Sequence, residues 1–207
     1  MARLQLRSPC SNKASRGFTI IEVLIATVVL ITGLVSAAAL IGNTLASTSR
    51  NEYLTQAATL ASEKLEDLDR YPSSDPHIAV TSGTTAGSLT SNQVTDVTAN
   101  GVTIAVNYYD EVFFSPSQGF VQETVSSLDA NGNPVYTTLT HNADGTMTPT
   151  TSSTAPDLLS GTFGFTRRWY IEANQPVTGM RRITVVVTMQ NQSVAGMAPF
   201  QMSMVRP

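Results

Sequence analysis

Glu22 is the residue whose surroundings impose a chemistry on this chain. It is flanked by Ile20, Ile21, Val23 and Leu24, and no charged residue follows it over positions 23–49. A carboxylate among aliphatic side chains is poorly solvated, and desolvation pushes it towards protonation unless a cation stands beside it. An ionisable group at the mouth of an apolar run is costly and by default functional. The chemistry on offer is charge pairing. Upstream lie four bases, Arg3, Arg7, Lys13 and Arg16, and then a Gly17-Phe18 junction.

Other reactive residues are scattered. His77 and His141 are isolated and share no metal-ligand spacing. The single cysteine, Cys10, lies before the junction, so a chain lacking residues 1–17 has no thiol, no disulfide and no cysteine-based zinc site. Asp129, Asn131 and Asn133, and the run His141-Asn142-Ala143-Asp144-Gly145, resemble calcium loops without the downstream glutamate that completes one. Turn chemistry accounts for both. No catalytic constellation, cofactor motif or metal site is expected. Arg167-Arg168 and Arg181-Arg182 form the remaining cluster. It could face the chain's own acidic segment, another subunit or DNA.

The elements that must position Glu22 follow from charge and periodicity. Residues 1–17 carry a net charge of +4, residues 18–71 carry -3, residues 72–157 carry -8 with no Lys or Arg, and residues 158–207 carry +4. This is not a nucleic-acid-binding composition overall. The uncharged run 23–49 would reach about 40 Å as a helix, more than a hydrocarbon core requires. Bases before it and acids after it place the N-terminus in the cytoplasm. A removed signal peptide cut at Ala37-Ala38-Ala39 is the rival reading, and would make the chain an exported enzyme or binding protein beginning at Leu40. Against it, the n-region would contain Phe18-Thr19-Ile20-Ile21 and then an acid, and the helical pattern runs on past Ala39. Leu54, Ala58, Ala61, Leu65 and Leu68 form one helical stripe. Pro72 ends the helix near Tyr71. One helix over 18–71 would measure about 80 Å.

These residues carry a resemblance. The segment Arg16-Gly17-Phe18-Thr19-Ile20-Ile21-Glu22-Val23-Leu24-Ile25-Ala26 is similar to the class III signal of type IV pilins and pseudopilins. The resemblance implies cleavage by prepilin peptidase between Gly17 and Phe18, N-methylation of Phe18, and Glu22 as the subunit-assembly carboxylate pairing with a neighbour's terminal amine. It covers about a quarter of the chain. Major pilins commonly have a proline about twenty residues into the mature helix and a C-terminal disulfide. Here Ala39 stands at the equivalent place, residues 23–49 lack proline, and Gly33 and Gly42 are the softer positions. Both departures imply a minor pilin or pseudopilin rather than the principal filament subunit. The segments 63–72 and 165–190 resemble the PilV-type minor pilins. The family implies an inner-membrane precursor with a periplasmic C-terminal domain, later joined to other subunits in a surface pilus by the assembly machinery. A type II secretion pseudopilin is the near alternative, since it shares the N-terminal chemistry.

The expected fold is α+β. A long N-terminal helix, whose first half (18–46) spans the membrane and whose second half (47–71) is amphipathic, packs on a C-terminal antiparallel sheet domain over 72–207, after a leader over 1–17. Strands are expected over 102–108, 120–128 and 135–140, the latter two joined by the Asn131-Gly132 turn. Loops or edge structure are expected at 81–101 and 140–157. Phe163, Phe165, Arg167, Trp169 and Ile171 alternate, as do Ile183, Val185, Val187 and Met189. That hairpin is read with Glu172 opposite Arg181, and Trp169 is placed in the core against the helix.

Overall fold

The computed structural model describes residues 18–80, 85–99, 101–115, 120–142, 144–156, 163–190 and 198–207. It is an α+β chain: among the described residues, one long helix, α1 (Ile20–Arg70), is followed by ten strands. Two compact units divide it, Met1–Ser49 and Arg50–Pro207, so α1 contributes to both.

In the first unit, α1 is long and apolar enough to cross a membrane. Its large side chains are exposed throughout, from Ile20 at 84 % to Leu45 at 64 %. The polar residues within this stretch turn inward on the helix itself. Thr27 donates to the Leu24 carbonyl at 2.8 Å, Ser36 to Thr32 at 2.8 Å and Thr44 to Ile41 at 2.8 Å. A hydroxyl satisfied by its own backbone adds little polarity to the helix surface, which suits a medium that cannot supply hydrogen bonds.

In the second unit, α1 residues 50–70 lie on a sheet. The buried stripe is Ala57, Ala61, Leu65 and Leu68, with Tyr53 and Leu60 partly buried beside it. This corrects the expected stripe at its upstream end. Leu54 is 36 % exposed and Ala58 only half-buried. Alanines at 57 and 61 leave room for Phe165 and Trp169 of the same core cluster. The helix stops at Arg70, one residue before the expected end.

The strands are β1 (Thr85–Gly87), β2 (Val94–Ala99), β3 (Val102–Asn107), β4 (Tyr109–Ser115), β5 (Phe120–Leu128), β6 (Pro134–His141), β7 (Met147–Ser152), β8 (Phe163–Ala173), β9 (Arg181–Met189) and β10 (Phe200–Arg206). β2 and β3 form a separate ribbon, and the others make one sheet in the order β10-β9-β8-β4-β5-β6-β7, with β1 also on β8. Every pairing is antiparallel. The β5–β6 hairpin turns at Asp129–Asn133 as expected, with Gly132 at φ 82°. The strand expected over 102–108 ends at Asn107, and β4 begins two residues later. β4 and β10 were not expected. β7, within the expected loop 140–157, is the exposed far edge and contains Pro149.

The β8–β9 register also differs by one residue from the expected one. Glu172 stands opposite Arg182, and Ile171 opposite Ile183. The hydrophobic faces decide this, because a one-residue slip would set core-facing Ile171 against an arginine. Trp169 is in the core at 4 % exposure. Gly87 of β1 shows how tightly that region is built: at φ 84°, an added Cβ would lie 2.3 Å from the Trp169 carbonyl oxygen. From the last strand, Arg206 donates to the Leu68 and Asp69 carbonyls at 3.1 and 2.9 Å, capping the end of α1.

Candidate functional site

Gly17 lies outside the described residues, as do Cys10 and the four leader bases. Phe18 and Glu22 stand at the start of α1. Thr19 caps the helix: its hydroxyl accepts from the Glu22 N–H at 3.4 Å and its carbonyl from Val23 at 3.2 Å. Thr19-x-x-Glu22 is the spacing of a capping box, a signal present in the sequence and not read there. An acid in the first turn also suits the positive end of the helix dipole. Phe18 is 78 % exposed, and among the described residues no hydrogen bond or ion pair reaches the Glu22 carboxylate. The site therefore offers one exposed carboxylate, held at a fixed place on a rigid apolar rod.

The densest charge chemistry lies elsewhere, within the second unit. Asp110 on β4 is 1 % exposed and accepts from Arg167 Nε at 2.7 Å and Nη2 at 2.8 Å. Lys64 of α1 reaches the same carboxylate at 3.1 Å, and Arg167 Nη2 continues to Glu123 at 3.0 Å. The Lys64 ammonium sits 4.3 Å from the centre of the Trp169 ring, within cation–π range. Burial pushes the Asp110 carboxyl up, but the charges and hydrogen bonds of Lys64 and Arg167 outweigh it and hold it below the ordinary value. Burial likewise opposes the Arg167 charge, and Asp110 and Glu123 reverse that, holding the guanidinium above its ordinary value. The group pins helix to sheet. It was missed because Asp110 and Lys64 read from sequence as solvent-facing charges.

The arginine pairs split by face, as alternation requires. Arg167 is buried as above, and Arg168 donates to Asn92 at 2.8 Å. Arg181 reaches the Ser73 carbonyl at 2.6 Å, and Arg182 pairs with Glu172 at 2.6 Å. All four guanidiniums thus have partners in the chain. Asp129 accepts from the Asn131 and Asn133 N–H groups at 2.8 Å each, which is turn closure. His77 stacks on Tyr71 at 4.6 Å and bonds Asp75 at 2.7 Å.

Among the described residues of the second unit, two cavities are roomy enough to hold a small molecule. One, of about 290 Å³, is an apolar groove beside α1 lined by Gln56, Leu60, Val112, Phe114 and Phe165, with His141 at its rim. The other, of about 310 Å³, is polar and lies on the far face of the sheet. Among the described residues no cluster of three metal-ligating side chains occurs. Comparison with protein-family models, curated proteins and solved structures found no match for this chain.

Proposed function

We propose that this chain is a minor type IV pilin of the PilV type, a structural subunit that primes or modifies a filament. The observation that carries the reading is the first half of α1: a helix with exposed aliphatic side chains and self-satisfied hydroxyls, headed by Phe18, Thr19 and a Glu22 with no partner among the described residues. In the membrane that surface is solvated by lipid. In a filament it is covered by the same surface of neighbouring subunits, with Glu22 meeting a neighbour's terminal amine and fixing the stagger. A charge pair in such surroundings is worth more than one in water, because its partners have nothing else to bind. The second half of α1, buried on the sheet, displays the globular domain outside the bundle. Prepilin peptidase and the pilus machinery are the partners, with the precursor in the inner membrane and the product on the cell surface.

Mass spectrometry of the mature chain tests processing, and Glu22→Ala tests assembly in the same strain. The expected terminus is N-methylated Phe18. The Glu22 variant should be processed normally yet be lost from sheared filaments. A mature terminus at Leu40 would sink the proposal in favour of an exported enzyme or binding protein. Recovery in sheared pili, against a secretion defect in a deletion strain, separates the pilus reading from a secretion pseudopilin.

A further inference from the structure

The polar cavity on the far face of the sheet has a composition that packing alone does not require. Its floor is built by β4 and β5 from Tyr109, Thr124 and Ser126, and its rim holds Glu111 of β4, Tyr136 of β6 and Asn92. The floor groups are already committed: the Tyr109 hydroxyl bonds Ser126, and Thr124 bonds Thr138 at 2.8 Å. They form a fixed hydroxyl surface. Among the described residues, two of the rim groups are uncommitted and the third is partly so. No hydrogen bond or ion pair from a described residue reaches the Glu111 carboxylate or the Tyr136 hydroxyl. Asn92 uses its oxygen to accept from Arg168, which leaves its amide N–H groups to donate. The register places Glu111 between Thr124 of β5 and Thr166 of β8, so its charge has only hydroxyls for strand neighbours.

We propose that this cavity binds a neutral saccharide. A sugar ring needs an aromatic face for its C–H surface, together with groups that both give and take hydrogen bonds in the ring plane. Tyr136 supplies the face, Glu111 accepts from two hydroxyls, and Asn92 donates. A volume of about 310 Å³ is at the small end of ligand pockets and suits one or two sugar residues. The charge balance selects against anionic glycans. Segment 72–157 carries eight acids and no Lys or Arg, and the nearest guanidinium, Arg168, is engaged by Asn92. A cation is a poorer fit, since Glu111 is the one carboxylate or imidazole among the described lining residues. The proposal is independent of filament assembly, because the cavity lies wholly within the second unit.

The test uses the full chain in a detergent without a sugar headgroup. A printed array of neutral, sialylated and sulfated glycans is followed by saturation-transfer NMR titration of the best-retained neutral disaccharide. Retention of neutral glycans above the anionic ones is expected. Glu111→Gln should weaken binding by about tenfold or more, because the site's hydrogen-bond acceptor for hydroxyls loses its charge. Tyr136→Leu should abolish binding, while Tyr136→Phe keeps the ring and most of the affinity. Glu63→Gln, in the apolar groove, should bind like the native chain. Thermal unfolding of each variant confirms the fold. The proposal is overturned if no neutral glycan is retained, if anionic glycans are preferred, if EDTA removes the binding, or if folded Glu111→Gln and Tyr136→Leu bind as the native chain does.

Discussion

Asp110 is the buried acceptor through which Lys64 of α1 and Arg167 of β8 are joined. It takes two hydrogen bonds from Arg167 and a third contact from Lys64. Removing one partner of a buried ion pair strands the others in a medium that does not solvate them, at a cost of about 3–5 kcal/mol. Asp110→Asn should therefore lower the unfolding midpoint sharply at pH 7. The pH dependence has a definite sign. The carboxyl is held below its ordinary value in the folded chain, so its contribution is complete above the unfolded value of about 3.9 and is lost as pH falls through the lower folded one. Thermal melts of native and variant should diverge most at neutral pH and converge as pH falls below the ordinary carboxylate range. A constant gap across that range would refute the assignment. Arg182–Glu172 gives a contrast: with Arg182 42 % exposed, that pair contributes little.

Among the elements, α1 was the most legible in the sequence. Its stop at Pro72, its change of character near residue 50 and its apolar spacing all derive from local chemistry. Its precise face did not, because 4-3-4-3 and 4-4-3 stripes differ by a fraction of a turn and the sheet chooses between them. Leu65, 5 % exposed and common to both, should cost about 2–5 kcal/mol on truncation to alanine, whereas Leu54→Ala should cost far less. Equal losses in a denaturant titration would restore the expected stripe. The β5–β6 hairpin was legible because Asn131-Gly132 closes it locally. β4 was not, since Asp110 interrupts its apolar pattern and is paid back only by Lys64 and Arg167, distant in sequence. Glu22 was found for the opposite reason: its oddity lies among its immediate neighbours. The rim of the polar cavity has no such local signature, as Glu111 and Tyr136 meet only through sheet register, and Asn92 is held there from the segment before β2 by Arg168.

At the scale of the whole molecule, the two units differ in the solvent they are made for. Residues 20–49 expose aliphatic surface, while Arg50–Pro207 encloses its own core. Under the proposed function, the bases before the run and the acids after it would set the second unit outside the inner membrane. Protease added to spheroplasts should digest it and spare a membrane-embedded fragment containing residues 23–49. Complete protection would reverse the orientation. Arg206 then sets a timetable. The α1 carbonyls at Leu68 and Asp69 are capped from β10, which follows every other strand in the chain and completes the sheet edge on β9. A polypeptide threading outward from its N-terminal anchor makes the helix early and its clasp late. If the chain crosses a membrane as proposed, the second unit would stay an open book until β10 has followed, and a chaperone or protease on that side would meet it before any other subunit could.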